Sequence, residues 1–189
     1  MRKLLVIDTE TGGLDPTMHS ILSVGAVVWD GGRLVDSFEA FIVEPELVVD
    51  SRALDVNRID LDWHRAHGLS PVDAIKALQF FLERHFGDPR TSGKIPLAGH
   101  NVSFDVGFLK RLYRLGNVNF EEVFSHRVLD TAGIIRFLVL ARKLDLPEGS
   151  STEAFKYFDI EIEAGKRHTA LGDARATAIL LSKLIGLVA

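Results

Sequence analysis

The sequence predicts an α/β fold in which a mixed sheet is covered by helices. Two observations lead to this fold class. The first 43 residues contain three strand-like segments that follow one another closely enough to form an antiparallel meander. From residue 71 onward, apolar residues recur every three or four positions, and these helical segments alternate with short apolar strands. A meander followed by such alternation is typical of a mixed sheet with helices packed on it.

The predicted meander consists of three strands. Residues 3–8 form the first strand, Ser20–Trp29 the second and Leu34–Val43 the third. The segment Asp30–Arg33, which contains two glycines, is a hairpin turn signal between the second and third strands. We therefore expect neighbouring antiparallel strands in this part of the chain.

The remaining chain alternates helices with short strands. The first predicted helix, Pro71–Phe86, begins after Ser70, a residue suited to the N-cap position. The later segments are a strand at Ile95–Gly99, a helix at Phe104–Leu115, a strand at His126–Asp130, a helix over about 132–143 and a last helix over about 170–187. These assignments add two strands to the meander, on a sheet that helices cover.

The composition fits one domain spanning residues 1–189 with a substantial core, since 47% of the residues are hydrophobic and no linker-like stretch divides them. The absence of cysteine excludes disulfides and thiol nucleophiles and suits a reducing cytoplasm. Asp8 interrupts the N-terminal apolar run too early for a signal peptide. The apolar stretch Ile134–Ala141 is too short to span a bilayer. We expect a cytoplasmic protein without a membrane segment.

The net charge of −4 argues against a protein that coats duplex nucleic acid, because such binders are usually basic. A partner held at one small site is favoured instead. For a nucleic-acid enzyme, this charge favours action on a strand end.

Two carboxylates at the end of the first strand point to a metal site. Residues two apart in a strand share a face, so Asp8 and Glu10 converge while Thr9 points away. Carboxylates held this close repel each other unless they share a cation. A hard divalent ion such as magnesium, bound through oxygen, is the simplest partner. A solvated turn is the weaker alternative, because both acids continue a buried strand.

Two further acids and a histidine could join this site. Asp173 shares a stripe with the apolar residues of the last helix, where a carboxylate is costly unless it is paired or bound to metal. Asp105 lies in the first turn of a predicted helix, where the helix dipole alone would favour an acid. His168 can reach the same site as Asp173 only if it precedes the helix on a loop. There it could remove a proton from water, although a surface position is the alternative.

The remaining polar candidates have simpler explanations. His100 ends a buried strand and is interpreted as a satisfied structural residue, and Asp130 as a helix cap. Surface positions are expected for His19, His64, His67, His85 and His126. No phosphate-binding GxxxxGK[ST] loop and no dinucleotide-binding fingerprint occurs.

The segments DTETGG, HNVSFD and HTALGD, in this order, resemble the three motifs of the DEDDh group of 3′-5′ exonucleases. The group includes the proofreading epsilon subunit of bacterial DNA polymerase III and ribonuclease T. Its histidine stands five positions before the last aspartate, as His168 stands to Asp173. The resemblance covers residues 8–178. It implies a ribonuclease H-like fold with a mixed five-stranded sheet flanked by helices.

The resemblance also implies cofactors and catalytic roles. Asp8, Glu10 and Asp173 would hold the divalent ion, Mg²⁺ or Mn²⁺, that carries the attacking water. Asp8 would share a second ion with the scissile phosphate, and Asp105 would support that ion. His168 would be the general base. Two such ions stabilise the attacking and leaving oxygens of an in-line displacement.

Substrate contacts are implied in the same way. Thr9 and Thr11 would contact the terminal nucleotide, and Leu14 and Phe104 would pack on its base in a manner that tolerates any sequence. Asn101, in the second motif, would be a further substrate contact.

The sequence departs from the group in two places. Many relatives carry a His-Gly-Ile segment that helps to form the nucleotide pocket, and here Asn57 and Arg58 replace the histidine and the glycine. The sequence also ends at Ala189, directly after the last predicted helix, without the C-terminal tail by which the proofreading subunit binds its polymerase. A free-standing exonuclease, or one recruited to its partner in some other way, is therefore favoured, and association with a polymerase stays possible.

The leading hypothesis is a 3′-5′ exonuclease that releases nucleoside 5′-monophosphates from single-stranded DNA ends. The alternatives are an exoribonuclease that trims RNA or oligonucleotides, an inactive nucleic-acid-binding module and a related endonuclease. The presence of all four acids and of His168 disfavours the inactive module, and the spacing of His168 and Asp173 disfavours the endonuclease.

Overall fold

The computed structural model describes residues 3–146, 150–163, 165 and 167–188, and five strands in this part of the chain form one sheet. The strands are β1 (Leu4–Thr11), β2 (Ile21–Asp30), β3 (Arg33–Phe41), β4 (Ile95–Gly99) and β5 (Phe124–Asp130). Their order is β3-β2-β1-β4-β5, with β1, β2 and β3 antiparallel and with β4 parallel to both β1 and β5. The predicted α/β class, an antiparallel meander extended by parallel strands, is confirmed.

The described residues also form nine helices. They are α1 (Ser51–Asn57), α2 (Leu61–His67), α3 (Pro71–Phe86), α4 (Pro89–Ser92), α5 (Ser103–Leu115), α6 (Phe120–Val123), α7 (Thr131–Leu140), α8 (Ser151–Tyr157) and α9 (Ala170–Gly186). None of the helices within the described ranges is long and apolar enough to cross a membrane.

Helices cover both faces of the sheet, and the alternation of β1 distributes its side chains between them. Leu5 and Ile7 lie in a core shared with residues of α3 and α5. Val6 lies in a second core shared with residues of α9. Because successive strand residues point to opposite faces, the two odd-numbered threonines of β1 face α5. Its two even-numbered acids face α9.

The short helices were not predicted, because they are defined by caps and have no long apolar stripe. Asp50, Asp60, Asp88, Asn119 and Ser150 each accept a backbone hydrogen bond at the start of such a helix. An N-cap of this type can begin a helix of four to seven residues too short to show a 3.6-residue period.

The predicted elements otherwise agree with the structure to within a few residues. Ser70 caps α3, and Asp130 caps α7, as expected. The third strand ends at Phe41 and not at Val43, because Ile42 pairs with Leu69 in an isolated bridge. In addition, β5 begins two residues earlier than predicted, α7 ends at Leu140, and α9 ends at Gly186.

Two histidines that were expected at the surface are not there. His64 is completely buried, and its Nε2 lies 2.7 Å from the carbonyl oxygen of Ile42. His85 is largely covered and contacts the carboxylate of Asp36 at 2.8 Å. Both corrections come from tertiary contacts, since His64 belongs to the unpredicted α2 and Asp36 lies 49 positions from His85. The expected exposure of His67 and His126 is confirmed, and His19 is half-buried.

Candidate active site

Three carboxylates converge where the end of β1 meets the start of α9. Asp8, Glu10 and Asp173 each offer an oxygen, and these three atoms lie within 4.8 Å of one another. Asp8 and Glu10 share a face of β1, as their spacing predicts, and Asp173 lies in the first turn of α9. The strand and the helix therefore bring together acids that are more than 160 positions apart in the sequence.

A glycine allows this approach of helix and strand. Gly25 of β2 pairs with Asp8 across the sheet. A Cβ atom at Gly25 would lie 2.2 Å from the backbone carbonyl carbon of Ala170, the first residue of α9. Any side chain at this position would push away the turn that carries Asp173.

The electrostatics of these acids favour a bound cation. Burial raises the pKa of Asp8 well above its ordinary value, and the charges of Asp105, Asp173 and Glu10 raise it further. Burial, with the charge of Asp173, raises the pKa of Glu10 to about 7. Burial also raises the pKa of Asp173. A divalent ion would remove this repulsion and compensate for the lost hydration.

The buried oxygen of Asp173 tests whether the site fits a metal. Asp173 is 7% exposed, and its Oδ1 has no hydrogen-bond partner among the described residues. A buried acceptor without a partner is costly. All three side chains offer the oxygen ligands that Mg²⁺ and Mn²⁺ bind. The residues therefore fit a divalent metal held by Asp8, Glu10 and Asp173.

Asp105 lies beside this trio and has a different environment. It is 4% exposed, and its Oδ1 accepts hydrogen bonds from the backbone N–H of Thr9 at 2.8 Å and from the Thr9 hydroxyl at 2.7 Å. Burial raises its pKa to about 7, although the two Thr9 bonds act in the opposite direction. Asp105 thus occupies the first turn of α5, as the helix-dipole interpretation expects, and its charge also reaches Asp8.

His168 lies on a loop directly before α9, as its proposed role requires. Thr169 is the N-cap, so the helix begins two residues after His168. The backbone of His168 is left-handed, with φ of 62°. Its backbone N–H and its charge act on the Asp173 carboxylate in the direction that lowers the pKa of Asp173, against the effect of burial. His168 and Glu10 also line one cavity of about 550 Å³.

Arg167 is a residue of this site that the sequence did not reveal. Its Nη1 is in contact with Asp173 Oδ2. Its Nη2 donates to Ser151 Oγ at 3.1 Å and to Thr152 Oγ1 at 2.7 Å. The guanidinium therefore joins the start of α8 to the acidic cluster. In the sequence, the only indication of this contact is the position of Arg167 next to His168. A basic residue beside a histidine also fits a surface position, so this indication does not distinguish the two.

A second cavity, of about 350 Å³, adjoins the acids on the other side. Four of the predicted substrate contacts line it together with Glu10, namely Thr9, Thr11, Leu14 and Phe104. The side chain of Leu14 is 84% exposed. We call this cavity the nucleotide pocket, after the role that the resemblance implies for these residues.

Asn101 does not line the nucleotide pocket. It is exposed, and its backbone N–H donates to Asp130 Oδ1 at 2.9 Å. It lines a separate depression with His100 and Asp130. The structure thus brings together four of the five predicted substrate contacts, and Asn101 lies apart from them.

His100 differs from the satisfied residue that was expected. Its Nδ1 lies 3.0 Å from Thr131 Oγ1, but its buried Nε2 has no hydrogen-bond partner within the described part of the chain. Burial lowers the pKa of His100, which favours the neutral ring.

Comparison with known proteins agrees with this geometry. The exonuclease family model of the ribonuclease T type matches residues 5–89. The PolC-type DNA polymerase III of Oceanobacillus iheyensis is 31% identical over 181 residues, which are 96% of this chain. That of Listeria monocytogenes is 33% identical over 180 residues, or 95% of this chain. These matches support the resemblance to the DEDD type of 3′-5′ exonuclease.

Solved structures show the same fold. Escherichia coli exonuclease I in complex with a dT13 oligonucleotide superimposes with a TM-score of 0.78 over 97% of this chain, at 18% identity. The match covers 41% of the exonuclease I chain, and the two polymerase matches each cover 11% of the polymerase.

The departure from the motif at Asn57 and Arg58 has a local structural basis. Arg58 is the C-cap of α1 and has a left-handed backbone with φ of 55°, a conformation that glycine adopts at little cost. A glycine at this position, as in many relatives, therefore suits the same turn. Asn57 is buried, and its side chain donates to the carbonyl oxygen of Thr11 at 3.2 Å. Asn57 thus braces the strand end that lines the nucleotide pocket.

Proposed function

We propose that this chain is a metal-dependent 3′-5′ exonuclease that acts on 3′ ends of DNA, mainly of single strands, and releases nucleoside 5′-monophosphates. The observation that carries the proposal is the position of Glu10, which lies in the acidic trio and lines both the nucleotide pocket and the cavity of His168. A terminal nucleotide in the pocket would place its phosphate next to the three carboxylates and next to His168.

Asp8, Glu10 and Asp173 would hold divalent ions, Mg²⁺ or Mn²⁺, with Asp105 supporting the second of two. When bound, the ions would neutralise charge on the phosphate and lower the pKa of water. The geometry of the three acids supports at least one such ion.

In the proposed reaction, His168 accepts the proton of the attacking water. The oxygen of water forms a bond to phosphorus, and the bond between phosphorus and the 3′ oxygen of the penultimate nucleotide breaks. His168 takes the proton that the water loses, and the departing 3′ oxygen takes a proton from solvent. The loop position of His168, beside Asp173 and in a cavity shared with Glu10, supports this role.

The nucleotide pocket would hold the terminal residue without reading its sequence. Leu14 and Phe104 would contact the base, since base stacking tolerates any sequence. The Thr11 hydroxyl donates to the Gly13 carbonyl, and both residues line the pocket. A pocket of about 350 Å³ suits one nucleotide.

DNA is the proposed substrate because the relatives named above are DNA polymerases, and because exonuclease I was solved with a DNA oligonucleotide. The test is a panel of labelled single-stranded DNA, duplex DNA and RNA, with Mg²⁺, with Mn²⁺ and with a chelator. Metal-dependent shortening of single-stranded DNA to mononucleotides is the expected result. Faster degradation of RNA would favour the exoribonuclease, and binding without cleavage under any condition would favour the inactive module.

A further inference from the structure

The exposed side chain of Leu14 stands on a loop that buried charges fix in place. The loop, residues 12–19, connects β1 to β2 and will be called the pocket loop. Its neighbour Glu44 is only 3% exposed and lies outside the acidic cluster. Glu44 accepts a hydrogen bond from the backbone N–H of Ile21 at 2.9 Å and one from the Ser20 hydroxyl at 3.2 Å. The carboxylate therefore holds the C-terminal end of the pocket loop.

Arg111 of α5 completes this arrangement. Its Nε lies 2.9 Å from Glu44 Oε1, and its Nη2 lies 2.6 Å from Oε2, so the ion pair is bidentate. Its Nη1 donates to the carbonyl oxygens of Pro16 at 3.1 Å and of Thr17 at 3.3 Å, both in the pocket loop. The side chains of Arg111 and Glu44 are 12% and 2% exposed. A charge pair with this much burial and this many bonds is geometrically specific.

The pocket loop also rests directly on α5. A Cβ atom at Gly107 would lie 3.2 Å from Pro16 Cγ, so the absence of a side chain at Gly107 permits close contact. Phe104, which lines the nucleotide pocket, lies on the same helix seven residues before Arg111. One helix therefore carries one pocket residue and the anchor of the loop that carries another.

We propose that Arg111 is a positioning residue for substrate: its ion pair with Glu44 fixes the pocket loop so that Leu14 lines the nucleotide pocket together with Phe104. The inference rests on the proposed function, because it assigns the pocket to a terminal nucleotide. An apolar side chain on a fixed backbone loses little conformational freedom when a base packs on it, which favours binding. Arg111 lies outside the acidic trio, so its effect falls on substrate binding.

The test is the steady-state cleavage of single-stranded DNA by Arg111→Met, Leu14→Ala and the double variant. Arg111→Met and Leu14→Ala are each expected to raise KM by about fivefold to thirtyfold, the range for loss of part of the apolar contact of one leucine, with little change in kcat. Because Arg111 acts through Leu14, the double variant should have nearly the KM of Leu14→Ala alone. Arg114→Met, which removes an exposed charge from the same helix, is the matched control and should behave as wild type.

The outcomes separate this inference from the proposed function. Suppose that the wild-type protein cleaves DNA. If the KM of Arg111→Met is then unchanged, or if the rise in KM of the double variant equals the product of the two single rises, the inference is wrong and the proposed function stands. If the wild-type protein cleaves nothing, both are wrong. If Arg111→Met does not fold, Glu44→Gln replaces it, since this substitution keeps the shape while it removes the charge and replaces one acceptor oxygen by an NH2 donor. Glu44→Gln is expected to raise KM in the same direction, and an unchanged KM would contradict the inference.

Discussion

Thr9 binds one oxygen of Asp105 twice, through its backbone N–H at 2.8 Å and through its hydroxyl at 2.7 Å. The two residues lie 96 positions apart, so this double contact joins the end of β1 to the first turn of α5. It fixes the orientation of a carboxylate that is almost completely buried. Thr9 therefore contributes to the site through Asp105, in addition to lining the nucleotide pocket.

The first prediction concerns this contact. Thr9→Val removes the hydroxyl and leaves a buried carboxylate with one donor fewer, so the protein should lose about 1–3 kcal/mol of stability. Cleavage should slow as well, because Asp105 is then held by one bond. Thr9→Ser keeps the hydroxyl and is the matched control. Urea unfolding and kcat measure the two effects, and wild-type values for Thr9→Val would show that the hydroxyl bond is dispensable.

The second prediction concerns metal binding. Asp8→Ala should abolish cleavage, because Asp8 lies in the acidic trio and the charges of the neighbouring acids all raise its pKa. The metal-free variant should be as stable as wild type or more stable, since one charge of a repelling group is removed. Isothermal titration with Mn²⁺ should show loss of binding.

Asp62→Asn is the matched control for Asp8→Ala, because the side chain of Asp62 is 96% exposed, lies far from the acidic trio in the sequence and forms an ion pair with Arg65 of the same helix. It should keep full activity and full Mn²⁺ binding. Turnover by Asp8→Ala above about a tenth of the wild-type rate would contradict the metal assignment.

The third prediction concerns the stability of the metal-free protein. Glu10 has an ordinary pKa of 4.5 and a folded-state pKa of about 7. Between these two pH values the folded state binds the proton of Glu10 more tightly than the unfolded state does. The contribution of Glu10 to the stability of the protein is therefore greatest below pH 4.5 and falls as the pH rises to about 7. The loss from this group amounts to a few kcal/mol.

Urea unfolding in a chelator from pH 4.5 to pH 8 measures this loss. Glu10→Gln, which cannot ionise, should have a flatter profile, and saturating Mg²⁺ should flatten the profile of the wild type. Equal slopes for Glu10→Gln and wild type would show that the pKa of Glu10 is not raised in the folded state.

The fourth prediction concerns the general base. His168→Ala should lower kcat by roughly 10²–10⁴-fold and leave Mn²⁺ affinity nearly unchanged. The wild-type rate should rise with pH, because only the unprotonated ring can accept a proton, and the variant should lack this rise. His126→Ala, at an exposed position of β5, is the control. If His100→Ala lost this rise of the rate with pH and His168→Ala kept it, His100 would be the general base.

The sheet and the acidic trio could be predicted because each depends on local pattern. Period-two alternation in β1 placed Asp8 and Glu10 on one face, and helical periodicity placed Asp173 on the buried side of α9. Arg167 could not be predicted, because its partners Ser151 and Thr152 belong to a short helix that only tertiary contacts reveal.

The pocket shows the same limit. Leu14 and Phe104 were assigned to it by resemblance, but the residues that hold Leu14 in place are far away in the sequence. Glu44 and Arg111 are 67 positions apart, and neither stands in a motif. A buried ion pair between distant residues leaves no periodic signal, so only the folded chain shows that the two side chains meet.

The dependence on a free 3′ end tests the central claim most directly. A 5′-labelled linear single strand, the same strand with a bulky 3′ block and a circular single strand of the same sequence would be incubated with the protein and Mg²⁺, and the products resolved by size. The account predicts stepwise shortening of the open linear strand and no cleavage of the blocked or circular strands, because a terminal nucleotide must occupy the pocket lined by Leu14 and Phe104. Internal cuts in the circular strand would contradict it.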